Sequence, residues 1–451
     1  MKRTTGTHVY TLLKCAKAVA LDLVGDRELK RPLRPEEEFV LARGRDLEAR
    51  IVEGLGWSEP EFPPRDWEAG ASATESMLRS GVEGVSQGIL LGGDRLGIPD
   101  LLRREPGASV LGEFHYVVGD VKSSARPRSD QILQVVFYSE LLAELQGRRP
   151  EYGYLVLRDG SEHRFAIEDY LPAFRRVMEE IDGLRDAPES VRPFWSSACG
   201  GCAWSPVCSP ELEADDDLSF LPGMTRSLRD GLERAGFAGC ARLDAADAAD
   251  VASRARLEPV MVERLQRAAR ARRSERPLLE PGGANRRVDG AFVHLLFDPF
   301  ADRLCWIGVV GPDDQVRDLV PDSRDDELSG WMALFAELPP DARLLHYGRS
   351  LPRWFEHRSH HEPGSLRVEA RFVDLARRLR AAAVLPTPVF GLEAHVGVVL
   401  GLDAHRKGRA DEAAMRFEQG DFDWLREKGR SDLADLRALT AALLESAEVT
   451  T

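Results

Sequence analysis

Through the first 210 residues, stretches with helical spacing of apolar side chains alternate with short apolar runs that read as strands. In EEEFVLARGRDLEARIVEGL (36–55), Phe39, Leu47 and Ile51 recur at a helix-like interval, which predicts a helix. GVSQGILLGGDRLGIPDLLRRE (84–105) predicts a hairpin with Gly92-Gly93 at its turn and RLGIPDLL as the returning strand. HYVVGDVKSS (115–124) reads as a further strand. SDQILQVVFYSELLAELQG (129–147) reads as a helix capped by Ser129 or Asp130 and stopped by Gly147. EYGYLVLRDGSEHRFAI (151–167) predicts a hairpin about Asp159-Gly160.

The pattern changes after Pro210. An acidic stretch, ELEADDD, reads as a linker into a helical segment, and a new α/β pattern begins near Leu278 and closes on the helix SDLADLRALTAALLES (431–446). Three units follow from this: 1–210, 211–277 and 278–451. The most apolar stretch, VFGLEAHVGVVLGL (389–402), carries Glu393 and His395 and is too short and too charged for a membrane span. The start of the chain, interrupted by lysines, lacks a secretory pattern, so the expected location is cytoplasmic, with no membrane partner. The net charge of −14 argues against a protein that coats nucleic acid, but leaves room for an enzyme whose positive charge is confined to one groove.

The run Val117-Val118 ends in Gly119-Asp120-Val121-Lys122. Alternation along a strand puts Asp120 and Lys122 on one face. Another carboxylate, Asp100, ends the preceding predicted strand. If those strands are neighbours, two carboxylates and an ammonium converge at a sheet edge. Carboxylates of this kind hold Mg²⁺, and a lysine beside them orients a water or neutralises a phosphate in transit. The plain alternative is a surface ion pair. On the next helix Gln134 and Tyr138 lie four residues apart, hence on one face.

Asp100, GDVKSS and QVVFY resemble the motifs of RecB-type nucleases of the PD-(D/E)xK superfamily, which includes the CRISPR-associated exonucleases. The resemblance implies a restriction-endonuclease-like α/β core, with Asp100 and Asp120 binding Mg²⁺ or Mn²⁺ and Lys122 as the catalytic lysine. It also places Gln134 and Tyr138 in the active site. GRDLEARI occupies the place of the family's first helical motif, with Glu48 as the third acidic metal ligand. Many relatives carry a histidine there, whereas this chain has Leu47 before Glu48.

Six cysteines occur. Cys199, Cys202 and Cys208 cluster in ACGGCAWSPVC, and Cys15 stands alone near the start. The cluster by itself suits zinc, an iron–sulfur centre or a redox pair. One distant cysteine with three clustered ones is the layout of the iron–sulfur RecB-type nucleases, so the resemblance implies a [4Fe-4S] cluster on these four thiolates. Cys240 and Cys305 fall in apolar contexts and read as small buried hydrophobes.

In the middle unit a Pro-Gly turn between short helical pieces is compatible with a helix-hairpin-helix element that meets a phosphate. The basic run RLQRAARARRSER (264–276) reads as a solvated helix face before it reads as a DNA contact. The last unit resembles the ribonuclease-H-like domain appended to some RecB-like nucleases. His294 and Leu296 stand where an active member carries Asp-x-Glu, while Asp374 and Asp432 match later acidic positions. The resemblance thus implies an inactive α/β platform. The function it implies is a DNA exonuclease acting on single-stranded ends. The rival is a non-catalytic DNA-end-binding subunit that works beside a helicase or another nuclease.

Overall fold

The computed structural model describes residues 2–280, 288–359, 368–369, 371–388, 391–401 and 410–445. The chain is mixed α/β and divides into two compact units. The first comprises Met1–Phe194 and Ala198–Glu211, the second Trp195–Ser197 and Leu212–Thr451.

The first unit opens with β1 (Thr4–Thr5) and helices α1 (Gly6–Leu12), α2 (Ala16–Val24), α3 (Pro35–Leu55) and α4 (Trp67–Arg79). Helix α3 starts cleanly because Pro35 needs no amide partner at the first position and Glu36, Glu37 and Glu38 favour the positive end of the helix. Strands β2 (Gly84–Ser86), β3 (Leu90–Gly92), β4 (Arg95–Gly97), β5 (Leu101–Ser109) and β6 (Gly112–Val121) follow. After them come α5 (Ser129–Gln146), β7 (Tyr152–Val156), β8 (Glu162–Ala166), α6 (Leu171–Asp186) and α7 (Ser205–Ala214). The main sheet runs β2-β5-β6-β7-β8; β5 and β6 are antiparallel, and β6 and β7 are parallel. A parallel pair needs a crossover, and α5 supplies it, buried on most of its circumference by Ile132, Val136, Phe137 and Leu141.

Two sequence expectations change here. RLGIPDLL is not one strand: β4 pairs with β3 and β1 in a small sheet, Pro99 marks the break, and Asp100 precedes the first residue of β5 in the main sheet. Helix α5 is capped by the backbone of Arg128, without a side-chain cap; Asp130 instead accepts from the Arg128 guanidinium at 2.6 Å. Gly147, at φ +64°, does end the helix.

The second unit begins with helices α8 (Arg226–Arg234), α9 (Cys240–Ala245), α10 (Ala248–Ala255) and α11 (Pro259–Ser274). The acidic stretch before them is only partly a linker: α7 runs through Ala214, and Asp217 is buried against Arg229 at 3.3 Å. The basic run lies on α11 and is largely paired within the chain. Arg270 and Arg273 meet Asp244, Arg272 meets Glu213, and Arg267 donates to the Leu279 carbonyl.

Then come β9 (Leu278–Leu279), β10 (Ala291–Asp298), β11 (Arg303–Val310), β12 (Val316–Leu319), α12 (Arg324–Ala336), β13 (Leu344–His346), α13 (Ser350–Ser359) and β14 (Phe372–Asp374). The chain continues through α14 (Leu375–Ala382), β15 (Ala383–Val384), α15 (Leu392–Leu400), α16 (Ala410–Glu418) and α17 (Phe422–Thr440). Five strands form a sheet in the order β12-β11-β10-β13-β14, antiparallel on the β11 side of β10 and parallel on the β13 side. The apolar stretch 389–402 is helix α15 over its described part, with Glu393 and His395 on it; residues 389, 390 and 402 lie outside the described residues. Ser446, the last residue of the expected final helix, also lies outside them. Among the described residues no helix is long and apolar enough to cross a membrane.

Helix α17 lies on β11 through a glycine: a Cβ on Gly429 would stand 2.4 Å from the ring of Trp306. That ring is fully buried and its Nε1 donates to Asp318 at 3.0 Å, so it cannot withdraw. Gly429→Ala therefore gains about 1 kcal/mol of helix propensity but loses roughly 1–3 kcal/mol to overpacking. The expected net result is a lower denaturant midpoint for the second unit. Gly44→Ala, in α3 with nothing near its added methyl, is expected to raise the denaturant midpoint of the first unit.

Candidate active site

Strand β6 carries Tyr116 and Val118 into the core beneath α5, and the alternation continues to Asp120, which is 1 % exposed. Antiparallel pairing sets Leu101 opposite Gly119, so Asp100 at the head of β5 lies beside Asp120 near the tail of β6. The Val121 amide donates to Asp100 Oδ2 at 2.6 Å. One hydrogen bond thus locks the two acidic positions together. The Lys122 amide continues the parallel ladder to the Val156 carbonyl, and its ammonium lies against Asp120 Oδ2, which has no hydrogen bond of good geometry.

Glu48 arrives from a different element, α3, one residue after the buried Leu47. Its carboxylate accepts from the Gln87 amide, which also donates to Asp100 Oδ1 at 3.3 Å. Gln134 and Tyr138 stand on α5, with Gln134 Nε2 donating to the Tyr138 hydroxyl at 2.8 Å. A Cβ on Gly6 would lie 2.6 Å from that hydroxyl, so the first turn of α1 closes over the tyrosine. The structure therefore brings Glu48, Asp100, Asp120, Lys122, Gln134 and Tyr138 to one place.

The electrostatics follow from that crowding. Burial, and then Asp120, pushes the Asp100 carboxyl well above its usual range; burial and Asp120 also raise Glu48. Burial alone would lower Lys122, but Asp120, Asp100 and Glu48 outweigh it and hold the ammonium above its ordinary value. Burial and the same carboxylates raise Tyr138, which stays a neutral donor. Three carboxylates against one ammonium leave the site short of positive charge. Oxygen donors with that deficit fit a hard divalent cation.

The cysteines converge as well. Cys15 caps α2, while Cys199 lies in a short helical turn (Ser197–Gly201), Cys202 just after it and Cys208 in the first half of α7. All four are half-buried thiols without disulfides. Cys208 is pushed up to about 12 by burial and then by Cys15, Cys202 and Cys199, and Cys202 is raised by burial with Cys15 and Cys199 contributing. The loop is tied to its surroundings: Trp204 Nε1 donates to Asp22 on α2 at 3.0 Å, and Arg34 donates to the Gly200 carbonyl at 2.7 Å. Four neighbouring thiols fit a thiolate-bound cluster. As the side chains stand, no three His, Cys, Asp or Glu among the described residues close on a single ion, either here or at the carboxylates. Cys240 and Cys305 are also buried; Cys305 packs in an apolar cluster, and the Cys240 thiol donates to the Asp217 carbonyl at 3.6 Å.

In the second unit, His294 on β10 reaches Asp432 at 3.4 Å, and Lys428 lies between Asp432 and Glu393. Leu296 is buried in the core, and Asp374 is spent on capping, accepting from the Gly348 and Ala376 amides. A lysine thus supplies the positive charge beside Asp432.

Sequence reasoning missed Gln87. Its only local sign is a polar residue followed by Gly88 inside an apolar hairpin; the decisive feature, a left-handed backbone at φ +51°, appears only in three dimensions. No protein-family model matches the chain, and no curated protein matches it significantly.

The raised carboxyls give a pH signature. Asp100 and Glu48 bind protons more tightly in the fold than in the unfolded chain, so their contribution to stability is fully present below the ordinary carboxylate range. It is lost as pH rises through the raised values. Asp100→Asn keeps an oxygen for the Val121 amide and removes the charge. In chelator-treated protein it is expected to melt higher than wild type at neutral pH, with the difference shrinking toward acid. A constant difference across pH would contradict the assignment.

Proposed function

We propose that the first unit is a metal-dependent DNA nuclease of the RecB-like PD-(D/E)xK type carrying an iron–sulfur cluster. The observation that carries the reading is the convergence of Glu48, Asp100, Asp120 and Lys122 where the head of β5 meets the tail of β6, with the Gln134–Tyr138 pair beside them. The sheet supports it too: an antiparallel β5–β6 pair joined through the α5 crossover to a parallel β7 is the arrangement such a core requires.

Asp100, Asp120 and Glu48 would hold Mg²⁺ or Mn²⁺, which stabilises charge that builds on the phosphate during hydrolysis. The residues of the chain do the rest. Lys122, anchored on Asp120, presents its ammonium to the attacking water or to a phosphate oxygen. Tyr138, held neutral and oriented by Gln134, offers a hydrogen bond toward the strand. Burial of the carboxylates excludes bulk water and strengthens each of these contacts. Cys15, Cys199, Cys202 and Cys208 would bind a [4Fe-4S] cluster that joins the start of the unit to its end. Single-stranded DNA ends are the substrate that the resemblance favours.

For residues 278–451, the α/β part of the second unit, we infer a ribonuclease-H-like platform without a metal site. Three antiparallel strands followed by two parallel ones, in the order β12-β11-β10-β13-β14, support that fold. His294 and Leu296, on β10 at the places where the resemblance expects Asp-x-Glu, support its lack of a metal.

Anaerobically purified protein should cleave end-labelled single-stranded DNA with Mg²⁺ or Mn²⁺. Asp120→Ala and Lys122→Ala should each reduce the rate by on the order of 10²–10³-fold while DNA binding persists. Folded protein with an intact cluster that binds ends and cuts nothing would support the non-catalytic subunit instead. Cys208→Ser should lose iron, acid-labile sulfide and the visible chromophore together, and should melt at lower temperature than the cluster-loaded wild type.

A further inference from the structure

The nuclease reading leaves one site residue without a role. Gln87 sits between β2 and Gly88, with its side chain on Glu48 and Asp100 and its backbone amide donating to the Asp100 carbonyl at 3.1 Å. Its φ of +51° is a conformation that costs a non-glycine residue roughly 1–3 kcal/mol and that survives where the surroundings enforce it. Glycine would adopt this backbone freely, whereas the glutamine supplies a side chain that reaches both Glu48 and Asp100.

Its suitability there follows from its chemistry. Glu48 belongs to α3 and Asp100 to the head of β5, so the two carboxylates come from separate elements and repel each other. A lysine between them would neutralise the pair and take the place of a cation. An aliphatic side chain would leave both unpartnered. A primary amide has two N–H donors, one for each carboxylate, and no net charge to compete with a metal. We infer that Gln87 is the positioning residue of the metal-binding carboxylates, bridging Glu48 to Asp100 so that the set is assembled before a divalent cation arrives. Lys122 performs the complementary task at Asp120.

The inference rests on the nuclease reading, and the test separates the two. Mn²⁺ binding to the full-length, cluster-loaded protein is measured by the electron paramagnetic resonance signal of free Mn²⁺, without DNA and without reference to activity. Gln87→Gly keeps the left-handed backbone without strain, so it removes the amide and preserves the fold. It is expected to weaken Mn²⁺ binding by about 10–100-fold with an unchanged or higher melting temperature. Gln87→Glu places a further carboxylate against the other two. It is expected to lower the melting temperature in chelator and to show a larger Mn²⁺-induced rise than wild type. Wild-type Mn²⁺ affinity in Gln87→Gly, or a wild-type Mn²⁺-induced rise in Gln87→Glu, would overturn the inference while Asp120→Ala, losing Mn²⁺, upholds the metal site. Failure of the wild-type protein itself to take up Mn²⁺ would overturn the nuclease reading and this inference together.

Discussion

The hydrogen bond from the Val121 amide to Asp100 Oδ2 is the contact on which the candidate site turns. It uses the backbone group between Asp120 and Lys122 to hold the head of one strand to the tail of its neighbour. A side chain that accepts an amide proton from the sheet itself cannot drift, so the relative placement of Asp100, Asp120 and Lys122 is set by strand register and not by loop conformation. The cost is electrostatic: two carboxylates are buried together, and the Lys122 ammonium, the Gln87 amide and the Val121 N–H offset that crowding only in part. Stability is reduced at the place where chemistry is expected, as is usual for preorganised charge.

How much of this could be read from the sequence depends on the range of the interaction. Asp120 and Lys122 were legible because a strand alternates faces, and Gln134 and Tyr138 because a helix repeats every three to four residues; both rules are local. The hairpin at Asp159-Gly160 and the stop at Gly147 were legible for the same reason. Pro99 is the local sign that the chain changes sheets just before β5, but the apolar run around it masks that break.

What the sequence hid was long-range. Gln87 is linked to a residue 39 positions away on another element, through a backbone angle that its side chain does not advertise. The start of α5 is not legible locally, because Asp130 turns to the Arg128 guanidinium and leaves the cap to backbone. The basic run on α11 reads as a solvated helix face, yet Arg270, Arg272 and Arg273 meet Asp244 and Glu213, which lie 26 to 59 residues away. Charge density along a sequence does not reveal whether the charge is already answered within the fold.

Trp204 and Asp22 meet across 182 residues of chain, and Arg185 and Thr4 across 181. On a ribosome these partners are not contemporaries. At ordinary elongation rates the N-terminal helices wait on the order of 10–40 s for the segment that covers them. For that interval Val9, Val19 and Leu23, all core residues in the finished unit, lack part of the surface they will pack against. The first unit is therefore closed late, by its own last residues, and Cys15 spends the wait as a thiol without its three companions. Vectorial synthesis thus makes the cysteine loop the final latch of the unit, whatever chemistry the thiols go on to perform.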